Sequence, residues 1–201
     1  MISKVQFVGI FGLIVFLQIV SLSPVNGQEH IYEAQLNGQK AGEIFALREV
    51  NDENVKIYIN TNLDGYMLFN LATEISSESM YVNQSLMQAT SVSKVRDRIQ
   101  SEVHTVKMKN DYSINADGDS KNLEVGQLLA TDILYFEEPL NINSVYSLAL
   151  GKMLDLVKSE VKGEYYFEYD GNKHIYRYLD GTLQEVEIEN RLYDLVFKLK
   201  K

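Results

Sequence analysis

Cysteine and tryptophan are both missing from the 201 residues, proline occurs twice and histidine three times. Without cysteine there is no disulfide framework, no thiolate-ligated zinc or iron–sulfur centre and no thiol nucleophile. Positive charge is scarce as well: 19 Lys+Arg stand against 28 Asp+Glu, a formal net charge of -9. That balance excludes an electrostatic nucleic-acid binder, which needs a basic surface to displace counterions. There is no Gly-x-Ser-x-Gly elbow, glycine-rich phosphate loop or dinucleotide fingerprint. His30, His104 and His174 lack the close spacing of a metal-ligand set such as His-x-x-x-His, so neither a metal nor a cofactor is expected. What the chain does have is apolar material, 45% hydrophobic and 10% aromatic residues, enough for a packed core.

The N-terminus carries Lys4, then an apolar stretch from Val5 to Val20, then the polar, small-residue end Ser21-Leu22-Ser23-Pro24-Val25-Asn26-Gly27. A basic start, a greasy centre and a small-x-small end make a secretory signal peptide over residues 1–27, with the cut after Gly27. The unbroken apolar run, Phe7 to Leu17, falls short of the roughly 20 residues a spanning helix needs. After cleavage no membrane span is expected, and the lack of cysteine excludes an N-terminal lipid. The expected product is a soluble chain, 28–201, in the periplasm or outside the cell. No linker or low-complexity stretch divides it, which predicts one β-rich domain.

Alternation of period two dominates this region. Val55, Ile57, Ile59, Thr61 and Leu63 share one face of a strand, and Tyr193, Leu195, Phe197 and Leu199 share another. Asn37-Gly38, Asp170-Gly171 and Asp180-Gly181 fall between such runs and supply the positive φ angles of tight hairpins. Further strands are expected over 71–82, 86–99 and 101–109, with a turn at Asn83-Gln84. One stretch breaks the rhythm: in 124–138, Val125, Leu128, Leu129, Asp132, Ile133 and Phe136 recur at three- and four-residue spacing, which predicts a short helix ended by Pro139. The fold class is all-β and mainly antiparallel. A meander of about ten strands with one helix should curl into a half-barrel or barrel-like sheet.

Several motifs occur in a recognisable order: Asn37-Gly38-Gln39-Lys40-Ala41-Gly42-Glu43, then Leu134-Tyr135-Phe136-Glu137-Glu138-Pro139, Val145-Tyr146-Ser147 and Gly151. The chain then ends in the meander from Tyr165 through Asp170-Gly171 and Tyr176-Arg177-Tyr178 to Gly181-Thr182-Leu183. This order resembles the exported proteins of the phylum Bacteroidota grouped as domain of unknown function 6134 (DUF6134). The resemblance implies export to a Gram-negative envelope and a β-rich body; it implies no activity and transfers no catalytic residue.

Candidate sites each have a bland alternative. Glu137 and Glu138, beside Tyr135 and Phe136, could serve as general acid and base in a hydrolase acting on envelope material. The alternative is a turn whose aromatics enter the core while the acids face water. Ser113-x-Asn115-x-Asp117-Gly118-Asp119 with Glu124 partly matches a calcium-loop template, and an Asp-Gly hairpin tip explains the same letters. Tyr165, Tyr166, Tyr169, Tyr176 and Tyr178 either pair across strands or offer a platform to sugar rings or a protein. The sequon Asn83-Gln84-Ser85 matters only in a eukaryotic secretory pathway. With no catalytic constellation in view, the leading expectation is a non-enzymatic binding module. It would use Tyr135, Phe136, Glu137 and Glu138, with an apolar ligand, a polymer or an envelope protein as partner; a hydrolase and a purely structural module are the alternatives.

Overall fold

The computed structural model describes residues 26–63, 73–191 and 194–200. The expected leader lies outside these residues except for Asn26 and Gly27, which begin the first strand and pair with Val50 and Glu49.

Among the described residues fifteen strands follow in order: β1 (Asn26–Leu36), β2 (Gln39–Asn51), β3 (Asn54–Leu63), β4 (Thr73–Val82), β5 (Ser85–Val95), β6 (Arg98–Lys107), β7 (Tyr112–Ala116), β8 (Asp119–Leu123), β9 (Ser144–Ser147), β10 (Lys152–Asp155), β11 (Val157–Lys158), β12 (Glu164–Tyr169), β13 (Asn172–Leu179), β14 (Thr182–Glu189) and β15 (Asp194–Leu199). Thirteen form one antiparallel sheet in the order β11-β12-β13-β14-β15-β1-β2-β3-β4-β5-β6-β7-β8, and β9 pairs with β10. The expectation of a curled all-β meander therefore holds. The strand count exceeds ten by five: β7 and β8, at five residues each, and β9, β10 and β11, at two to four, are too short to show a clear period.

The hairpins form where the turn chemistry placed them. Asn37, Asp170 and Asp180 adopt φ of 48–50°, each followed by a glycine at 74–80°. The pair Asn83 and Gln84 takes the same left-handed conformation without a glycine. A bulge interrupts β1–β2 between Ala34 and Gln35, opposite Gly42. At φ +141°, a Cβ on Gly42 would lie 2.0 Å from the Asn62 carbonyl oxygen, so only glycine lets β3 approach β2 there.

Alternation carries one set of side chains inward along every long strand: Tyr32 and Ala34, Ile44 and Ala46, Ile57 and Ile59, Ser79 and Tyr81, Tyr165 and Phe167, Leu195 and Phe197 are all buried. The sheet does not close, since β8 and β11 are not paired with each other. Its concave side wraps the chain between β8 and β11 instead. Leu128, Ala130, Leu134, Val145, Tyr146 and Leu154 from that segment join the inward-facing residues in one core cluster.

The helix expected over 124–138 does not form; a single 3₁₀ turn, Ile133–Tyr135, is the helical content of this stretch. Leu128, Ala130, Asp132, Leu134 and Phe136 are buried, while Leu129, Thr131, Ile133 and Tyr135 are only half-buried. The burial period is two. Residues on both sides of the segment are apolar because it lies inside the sheet, and that doubled apolarity imitates helical spacing.

Candidate functional site

The inner segment is held by hydroxyl groups. Tyr178 donates to the Leu134 carbonyl at 2.7 Å, and the Tyr112 hydroxyl accepts from the Leu128 amide at 3.3 Å. Tyr146, on the segment itself, pairs with Thr105 of β6 at 2.6 Å. His30 Nδ1 donates to the Tyr135 carbonyl at 2.9 Å. An irregular segment buried inside a curled sheet must find partners for its backbone groups, and these side chains supply some of them.

Asp132 anchors the same segment by its side chain. Its carboxylate accepts from Tyr81 at 2.7 Å, from Ser79, and from the Ile133 amide at 2.9 Å. Burial pushes its pKa above the usual carboxylate value, against the pull of the Ser79 and Tyr81 hydroxyls. Burial and the neighbouring Asp132 in turn push Tyr81 well above the ordinary phenol range, so Tyr81 remains a donor.

The four residues expected to bind each meet a different partner. Phe136 is buried and stacks on His30, with ring centroids 5.3 Å apart. Tyr135 packs edge-on against Tyr32 at 5.6 Å. Glu137 is exposed and meets Arg48 Nη1 at 2.7 Å, whereas Glu138 accepts from the Tyr165 hydroxyl at 2.9 Å. Burial and this Glu138 contact raise the Tyr165 pKa to about 12.

Two cavities flank the inner segment. One, about 610 Å³, is lined by Arg48, Gln84, Gln127, Glu137, Glu138 and Asn143 among others; Arg48 Nε is buried there without an acceptor among the described residues. The other, about 310 Å³, is mainly apolar and lies between the inner segment and the sheet. Ile44, Ile59, Leu148, Phe167, Val186 and Phe197 supply most of its wall, with Asp132, Tyr135 and His174 also facing it. The half-buried Ile75, His174 and Ile188 and the exposed Ala149 mark its open side. His174 stacks on Phe167 at 4.7 Å, and burial lowers its pKa to about 4, leaving a neutral imidazole at neutral pH.

The family model described as Domain of unknown function (DUF6134) matches residues 32–200, from within β1 to the residue after β15. The chain belongs to the DUF6134 family. Its fold is similar to that of a crystal structure of a beta-barrel-like protein of domain of unknown function DUF1849 from Brucella abortus, with a TM-score of 0.54 at 10% sequence identity. That likeness covers 88% of this chain and 96% of the other, and it concerns the fold alone. Among curated proteins, none matches the sequence.

In this DUF6134 chain the calcium-like letters form the β7–β8 hairpin, with Asp117 and Gly118 at its tip. Asp117 accepts from the Glu102 amide at 2.7 Å and from Ser101 at 3.2 Å, so its carboxylate ties the tip to β6. His104 is a surface strand residue paired with Glu102 at 3.1 Å. Of the C-terminal tyrosines, Tyr165, Tyr176 and Tyr178 are buried, and Tyr165 and Tyr178 pack edge-on at 5.8 Å. Tyr166 and Tyr169 are half-buried beneath Lys173 and Lys152. Sequence reasoning missed Asp132 as an anchor and His174 as a cavity residue. A signal for the first existed: an acid at the midpoint of the alternating run Leu128, Ala130, Asp132, Leu134, Phe136.

Proposed function

We propose that residues 28–201 form an exported, non-enzymatic binding module of a Gram-negative envelope, and that an apolar ligand occupies the 310 Å³ cavity. The observation that carries this is the lining: aliphatic and aromatic side chains from β2, β3 and β12–β15 face space that the inner segment leaves unfilled. Its volume lies at the lower end of the roughly 300–1,000 Å³ range of small-molecule sites. Export is supported by the leader-like N-terminus. Among the described residues no helix is long and apolar enough to cross a membrane.

The test is binding of the neutral fluorophore N-phenyl-1-naphthylamine to purified protein. Saturable enhancement with the natural sequence, lost in Ala149→Trp at the open side of the cavity, is the expected result. No saturable binding by the natural sequence removes the proposal.

A hydrolytic reading has one observation in its favour, that Glu137 and Glu138 line the larger cleft together with Arg48 and Gln127. Each acid is already engaged, by Arg48 and by Tyr165 respectively, which suits positioning of the segment. Turnover of envelope glycans or peptides that disappears in Glu138→Gln would establish the enzyme reading.

A further inference from the structure

We infer that the ligand of the smaller cavity is an uncharged amphiphile, a chain bearing a hydroxyl or carbonyl group that enters against a wall of serine and threonine hydroxyls. This rests on the apolar-ligand reading above and adds the chemistry of the polar group.

The cavity is two-sided. The wall built by β12–β15 is apolar apart from the His174 ring and the Tyr176 hydroxyl, with Phe167, Val186, Leu195 and Phe197 among its residues. The opposite side sets hydroxyls among aliphatic residues such as Ile59 and Ile75: Thr61 on β3, Ser77 on β4, Ser91 on β5, and Thr131 and Ser147 on the inner segment. Ser77 and Ser91 are directly paired across β4 and β5, whereas Ile59 is the β3 residue level with them and Thr61 lies two residues further along β3, opposite Ile75, so the polar patch centres on the Ser77–Ser91 pair. Ser91 and Ser147 are buried, which places the patch inside the sheet and not at the exposed rim.

Charge decides between polar groups. Among the described residues no lysine or arginine lines this cavity. The carboxylate facing it, Asp132, already accepts from Ser79, Tyr81 and the Ile133 amide. A carboxylate or phosphate brought to the patch would be desolvated beside Asp132 without a counterion, at large cost. An ammonium would find Asp132 already occupied. A hydroxyl or carbonyl exchanges its water for serine hydroxyls at little net cost. At about 30 Å³ per heavy atom, the volume of a water molecule, the space suits on the order of ten such atoms.

The experiment is displacement of N-phenyl-1-naphthylamine by 1-octanol and by octanoate at pH 7.5, with the natural protein and with Ser77→Val/Ser91→Val. The expected result is at least tenfold better competition by 1-octanol, reduced at least fivefold in the double variant while the fluorophore still binds. Octanoate competing as well as octanol overturns the inference, as does a double variant that binds octanol undiminished. A fluorophore that binds but yields to neither competitor overturns it too and leaves the cavity reading standing. A natural protein that does not bind the fluorophore at all overturns the cavity reading itself.

Discussion

Asp132 shows how much a single polar side chain can determine in an apolar interior. Removing it leaves the Ser79 and Tyr81 hydroxyls buried with their acceptor gone, so Asp132→Ala should lower unfolding free energy by about 2 kcal/mol or more, read from urea denaturation. Asp132→Asn keeps an acceptor and should cost less. His174 gives the protein a titration of defined sign. Its folded pKa, about 4, lies below the ordinary 6.5, so the folded state binds its proton later than the unfolded one. The stability it lends is whole above pH 6.5 and is withdrawn as pH falls toward 4. Asp132 works in the opposite direction: its raised pKa favours the folded state in acid and withdraws that contribution as pH rises through the folded value. Replacing His174 by Phe should therefore flatten the fall in urea midpoint between pH 6.5 and 4, while Asp132→Asn should steepen it. At this scale the sequence was only partly legible. Glu137 and Glu138 stood out as an acid pair, yet their partners, Arg48 and Tyr165, lie on distant strands that no local spacing reveals.

Among the elements, the long hairpins were legible because their turns carry Asn-Gly and Asp-Gly and their strands alternate. The inner segment was not. Three- and four-residue spacing is evidence for a helix only where one side of the element faces water, and the chain between β8 and β9 has sheet around it. Leu134, fully buried there, should cost about 2–5 kcal/mol when cut to alanine, a value set by how far the sheet can collapse onto the gap. The β1–β2 bulge makes a sharper demand. Gly42→Ala forces a side chain into the Asn62 carbonyl at a φ that L-residues avoid, and at least 1–3 kcal/mol of destabilisation should appear in thermal or urea unfolding. A conserved unfolding midpoint in Gly42→Ala would mean that the bulge is able to relax.

For the molecule as a whole, the decisive property is that thirteen strands curl without joining. The β9–β10 hairpin lies across the opening: Gly151, between its strands, sits against Val103, Ile114 and Ala116, and Lys152 reaches the Tyr169 hydroxyl at 3.1 Å. The free edge at β8 reads Asp-Ser-Lys-Asn-Leu, and its first four residues are exposed. Charges on an exposed edge oppose strand addition by another copy. Asp119→Val/Lys121→Val should therefore promote self-association, visible as a concentration-dependent rise in mass by light scattering.

The central position of β1 has a consequence for synthesis. It lies between β2 and β15, the latter near the far end of the chain. As the polypeptide emerges N-terminus first, one flank of β1 stays bare until Asp194–Leu199 has been made. Every nascent chain that stops short of β15 thus carries an unsealed edge beside Tyr32 and Ala34, which only that distant strand covers.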